Sequence, residues 1–391
     1  MSPTEPSFTL GIEEEYHLVD RETGELAPDP PRALLAECRA ELGGQVSPEF
    51  LRSQIEAGTR VCQSIADIRE DMKRLRTAIV RVTRRHGLAP IAASTHPFAE
   101  WAASRPTARP RYKALASDLQ GVGRRLVICG MHVHVAIEDD ELRIDLMNQA
   151  RYFLPHLLAL STSSPFWQGA DTGLKCYRLA VYNELPRTGL PGHMASWSEY
   201  QSTVEVLTRN GVIEDGSKIW WDIRPSARFP TLEMRITDVC TRLEDAISVA
   251  ALYRCILRML FRLRRDNQNW RQYPLFLLNE NRWRAQRYGF SAGLFDFGRG
   301  SIIPFATLLD ELIALVMPDA EHFGCVREVE HAREIVARGT SADAQLALFK
   351  AATQEGLDEP AALRGVVGAL VETTAETGEA PLKRKAASRR R

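Results

Sequence analysis

From Leu126 to Ile137 the chain alternates in character. Val127, Cys129, Met131, Val133, Val135 and Ile137 are apolar, while Gly130, His132 and His134 fall in the opposite register. A period of two puts the two sets on opposite faces of a β-strand, one for a core and one left for chemistry. A helix would scatter both sets around its circumference, so this run calls for a sheet with one covered face. Two imidazoles on one face, beside a glycine that leaves room, suit metal ligation or a phosphate contact as well as an ordinary surface.

Three further segments follow the same plan. In Phe8 to Val19 the even positions Phe8, Leu10, Ile12, Glu14, Tyr16 and Leu18 share one face, and Thr9, Gly11, Glu13, Glu15 and His17 share the other. Glu13 and Glu15 thus lie about 7 Å apart on the polar face. If carboxylates converge to about 4 Å they repel by about 4 kcal/mol at an effective dielectric near 20, which a cation would relieve. Thr231 to Asp238 sets Leu232, Met234 and Ile236 inward and Glu233 and Arg235 outward, just after the extended segment Trp220 to Arg224; Arg52, Gln54 and Glu56 share a side before Gly58. Taken singly, these are an acidic edge strand or a surface ion pair. Gathered by one sheet, they would form a concave surface with four carboxylates, one or two imidazoles and arginines. Such a donor set suits hard divalent cations, Mg²⁺ or Mn²⁺, which prefer oxygen and bridge to phosphates, whereas zinc would call for more histidine or cysteine. The residue chemistry alone points to metal-dependent phosphoryl transfer without naming an acceptor.

Helical periodicity supplies the covering layer. Val61, Ile65, Ile68, Met72, Leu75, Ile79 and Val82 step by three and four, and Gly87 follows as a stop, which predicts an amphipathic helix over Val61 to His86. Leu243 to Leu263 is apolar around more of its circumference and predicts a helix buried between layers. A third helix is expected over Glu141 to Leu160, kinked at Pro155. Strand and helix runs do not alternate as regular βαβ units, so the expected fold class is α+β, a largely antiparallel sheet with helices packed on one face. One catalytic domain is expected over residues 1–374, followed by a basic tail, 375–391, in which Lys383 to Arg391 holds six of the 50 basic residues. Those 50 balance 50 acidic residues, so no global field draws the chain to nucleic acid or to an anionic membrane. The seven cysteines are scattered with no C-x-x-C pair, no stretch approaches a membrane span, and the start lacks a signal-peptide pattern, so a cytoplasmic, reduced protein is expected. ATP, if used, is held by neither a Walker loop nor a Rossmann turn, since neither pattern is complete.

Gly11-Ile12-Glu13-Glu14-Glu15, Cys129-Gly130-Met131-His132-Val133-His134 and Thr231-Leu232-Glu233-Met234-Arg235 together resemble the bacterial carboxylate-amine ligases of the YbdK type, the glutamate-cysteine ligase type 2 family. Ser94-Thr95-His96-Pro97-Phe98, Asp171-Thr172-Gly173 with Tyr177-Arg178, Trp221-Asp222-Ile223-Arg224-Pro225-Ser226 and Glu280-Asn281-Arg282-Trp283 extend the likeness from about Phe8 to about Glu372. The resemblance implies a glutamine synthetase-like catalytic fold and an ATP-dependent ligase that joins glutamate to cysteine through a γ-glutamyl phosphate. It implies Glu13, Glu15, Glu56, His132 and Glu233 as ligands of Mg²⁺ or Mn²⁺, and His134 and Arg235 as contacts of the phosphates. Arg178 and Arg224 are then candidates for the substrate's carboxylates. The same ligation with another acceptor amine, or a nucleotide-binding relative without turnover, are the rival readings; a homodimer is compatible with all of them. One departure is Gly339 to Gln345, where the family more often carries an arginine after the Ala-Asp pair.

Overall fold

The structure is a computed structural model that describes residues 4–108 and 110–377. Its centre is a seven-stranded sheet, whose strands we number β1 (Leu10–Asp20), β2 (Val46–Pro48), β3 (Gln54–Gly58), β4 (Leu88–Ile91), β5 (Met131–Ala136), β6 (Ile223–Pro225) and β7 (Thr231–Met234). The order is β6-β7-β5-β1-β3-β2, with β4 pairing the far end of β1, and every pairing is antiparallel. The expected fold class is therefore the observed one. Register brings the segments together: Glu13 lies opposite Gly58 on one side and His132 on the other, Glu15 opposite Glu56, and Glu233 opposite both His134 and Arg224.

The apolar sets expected for β1, β5 and β7 are buried, and the helices Ile65–Arg85 and Leu243–Arg265 pack behind them, with Phe305–Phe323 and Val326–Arg338 as a further layer. Leu243–Arg265 is buried around most of its surface as its composition predicts. Glu14 stands on this core face of β1 and is neutralised there. Arg76, from the helix Ile65–Arg85, donates to it at 2.5 and 2.9 Å and also to the carbonyls of Cys240 and Thr241, while the Tyr16 hydroxyl donates to the same carboxylate.

Four expectations change in detail. The helix predicted from Val61 starts at Ile65, because Ser64 and Asp67 form a capping box. Cys62 is held instead by mutual backbone bonds to Leu10, and Val61 is 76% exposed. The helix predicted over Glu141 to Leu160 is two helices, Asp140–Ala150 and Leu154–Ser161; Pro155 lies in the first turn of the second, where its missing N–H costs nothing. Arg52 lies in the turn before β3 and pairs with Asp29 rather than joining Gln54 and Glu56. Finally, the site-bearing face is not open along its whole length. Val19, Ala89, Ile91 and Ala93 form a second core with Phe166 and with Leu363, Val366, Val367 and Leu370 of the helix Glu359–Ala375, and this roof buries His17. Among the described residues all seven cysteines are free and buried, and no helix is long and apolar enough to cross a membrane. Ala375 closes the last helix, and the rest of the tail beyond Thr377 lies outside the described residues.

Candidate active site on the concave face

Antiparallel pairing gathers the polar faces of β1, β3, β5 and β7 into one surface. Two groups of three side chains each bring one ligand atom within 4.8 Å of the others: Glu13 with His134 and Glu233, and Glu15 with Glu49 and Glu56. Glu49 was not read from the sequence. It lies in the loop just past β2, where no alternation marks it, and its neighbour Phe50 donates a backbone N–H to its own carboxylate at 2.8 Å. Of the residues expected as ligands, His132 stands beside the first group, with Nδ1 at 3.3 Å from Glu13 Oε2; His134 Nε2 lies 3.7 Å from the same oxygen.

The electrostatics divide the two groups. Burial pushes Glu15 up to about 7, with the charge of Glu56 adding to it, although the Gly130 N–H donates to Glu15 at 2.7 Å. Burial and then Glu15 and Glu56 hold Glu49 well above the ordinary carboxylate range, and burial and then Glu13 raise Glu56. Three carboxyls that burial and mutual charge keep from ionising together would all be held as anions by a divalent cation, so the donor set fits such an ion. In the other group burial also pushes upward but is outweighed. Hydrogen bonds to His132 and His134 bring Glu13 well down, and Arg235 and Arg224 likewise bring Glu233 well below the ordinary carboxylate range. Burial and Arg235 depress His132 to about 4, leaving a neutral ring with a lone pair to offer. His134 rises in spite of burial, because Glu13 and Glu233 favour its cation.

Each of the three arginines has protein partners. Arg235 is ion-paired to Glu233, donates to the Tyr182 hydroxyl at 3.3 Å, and keeps a buried Nε with no partner. Arg224 grips both oxygens of Glu233 at 2.9 and 3.1 Å and spends its remaining nitrogen on the carbonyls of Ser217 and Ile219. Arg178, at the start of the short helix Arg178–Tyr182, donates to the carbonyls of Arg235 and Ile236 at 3.1 and 3.3 Å. Beyond His134 a cleft of about 770 Å³ opens, bordered by Trp197, Tyr200 and Phe229; the Phe229 ring meets His134 edge-on. Gly289-Phe290-Ser291-Ala292-Gly293 has the spacing of a serine nucleophile elbow, but it follows a helix instead of a strand, and the Ser291 hydroxyl donates to the Tyr288 carbonyl at 2.8 Å.

Two solved structures share this fold. The chain aligns with the Francisella tularensis glutamate-cysteine ligase solved in complex with AMP at a TM-score of 0.69 and 13% identity, over 96% of this chain and 90% of that one. It aligns with the bifunctional glutathione synthetase of Pasteurella multocida at 0.67 and 15%, over 94% of this chain and 52% of the other. These likenesses establish the fold. The chain itself belongs to glutamate-cysteine ligase family 2, whose model matches residues 9–371. A Rhodospirillum rubrum protein provisionally named glutamate-cysteine ligase 2 is 61% identical over 95% of this chain and 96% of its own length. One from Jannaschia sp., with the same provisional name, is 57% identical over 93% and 96%.

Proposed function

We propose that the chain is an ATP-dependent ligase that joins the side-chain carboxylate of glutamate to an amine, first of all that of cysteine, through a γ-glutamyl phosphate. The observation that carries this reading is the pair of three-residue groups, five glutamates and an imidazole, on one concave surface beside Arg235. Family membership and the provisional names of the relatives support the substrates, and the AMP bound by the Francisella enzyme supports the nucleotide. Glu15, Glu49 and Glu56 are assigned to one divalent ion, and Glu13 and Glu233 with the neutral ring of His132 to another. Bound Mg²⁺ or Mn²⁺ would supply positive charge against the phosphates there.

The protein's own part is positioning and charge. The glutamate side-chain oxygen attacks the γ-phosphorus, ADP leaves, and the amine then attacks the acyl carbon, loses a proton and expels phosphate. Arg235, braced by Glu233 and Tyr182, and His134, whose cation is favoured, are assigned to the negative charge that grows on the phosphoryl oxygens. Arg224 is assigned to holding Glu233 rather than to the substrate, since three of its nitrogens already have protein partners. The cleft next to His134 has the size to take a nucleotide. No protein nucleophile is required. The test is ADP release with glutamate carrying ¹⁸O in its side-chain carboxylate. One labelled oxygen should appear in the released phosphate, and release should require both glutamate and an amine. ADP formed without glutamate would instead make the chain a hydrolase.

A further inference from the structure

Gly130 carries no side chain where one would strike Arg178. A Cβ built there would lie 3.0 Å from Arg178 Cζ and 3.1 Å from Nε, and closer still to Nη2, so the guanidinium fills the space a side chain would take. The same Gly130 joins β5 to β1 through Glu15: its N–H donates to the Glu15 carboxylate at 2.7 Å, and its carbonyl accepts from the Glu15 N–H at 3.1 Å. Arg178 is 2% exposed, lies 5.4 Å from the centre of the Tyr182 ring, and donates to the backbone carbonyls of Arg235 and Ile236. Tyr182 in turn accepts from Arg235. Two arginines, one tyrosine and one glycine thus form a closed bracket behind the guanidinium that faces Glu233.

We propose that Arg178 is a positioning residue: seated in the space left by Gly130, its fork pins the backbone at Arg235 and Ile236 and so sets the aim of Arg235. This rests on the ligase reading above. A free arginine could swing away from a new methyl group at little cost, but this one is buried and bonded to two carbonyls, so moving it frees the segment just past β7 that carries Arg235. A misplacement of about 1 Å is enough to cost about 100-fold in turnover. Lysine could keep the charge at position 178 but offers no planar fork for two carbonyls.

The test is a double-mutant cycle on turnover in the full chain with ATP, glutamate and cysteine, with thermal unfolding followed in parallel. Gly130→Ala and Arg178→Ala should each lower kcat about 100-fold with KM for glutamate little changed, and the double variant should be no worse than Arg178→Ala alone, since the methyl group then meets no guanidinium. Arg178→Lys should fail to restore kcat. Losses that multiply in the double variant, full rescue by lysine, or a defect confined to KM for glutamate would each overturn the proposal; the last would make Arg178 a substrate contact. A wild-type chain that releases no ADP with any amino acid would fail the ligase reading instead, and the cycle would then be read on the divalent-ion shift in melting temperature, where multiplying losses still refute the bracket.

Discussion

Glu15, Glu49 and Glu56 keep protons that isolated carboxyls would release, because burial and mutual charge oppose three anions in one place. A folded carboxyl that holds its proton above the ordinary 4.5 loses stability as pH rises, since the unfolded chain releases that proton first. The metal-free protein should therefore become less stable between about pH 4.5 and the value near 7 that Glu15 reaches. Added Mg²⁺ should raise the melting temperature more at about pH 8 than at about pH 5, and Glu15→Gln should flatten the slope. A melting temperature that is level over that interval without metal would contradict the arrangement. Arg235→Ala should cost about 100- to 1000-fold in kcat while the unfolding midpoint moves little, because Arg224 remains on Glu233. Stopped-time ADP assays beside a denaturant titration would separate the two effects.

The elements differ in how far they could be read in advance. β1, β5 and β7 were legible because alternation fixes both the strand and its chemical face, and Glu13, Glu15, His132, His134 and Glu233 all lie where the period put them. Glu49 was not, since a loop just past a three-residue strand has no period to betray it. Val61 misled for the opposite reason. It keeps helical spacing with Ile65, but the backbone bonds of Cys62 to Leu10 claim that stretch for the edge of β1. The same strand carries Glu14 on its core face, and its partner Arg76 sits on the helix Ile65–Arg85. Removing one member of such a buried pair typically costs about 3 to 5 kcal/mol, so Arg76→Met should lower unfolding free energy by that order, and Glu14→Leu in the same chain should recover much of it. Equilibrium unfolding in urea of the single and double variants checks this; an Arg76→Met variant as stable as the parent would show the pair to be dispensable.

For the molecule as a whole, side chains drawn from strands and loops far apart in sequence mean that the two carboxylate groups exist only once the sheet has formed. Recognition of the acceptor amine then rests on the shape of the finished cleft. The site residues include no thiol ligand, and a mainly steric pocket separates cysteine from serine or 2-aminobutyrate by about 1 to 3 kcal/mol. Measured kcat/KM across these amines should therefore fall within about 10- to 200-fold, and strict dependence on cysteine would point to a contact not yet described. β1 holds Glu14, the partner of Arg76, and the carboxylates of Glu13 and Glu15 on alternate residues, so its length is fixed more tightly than its composition. A substitution between Gly11 and Tyr16 changes one face at one place. Loss of a single codon there would turn every following side chain over, send Tyr16 outward and Glu15 into the oil, and erase catalysis and folding in one event.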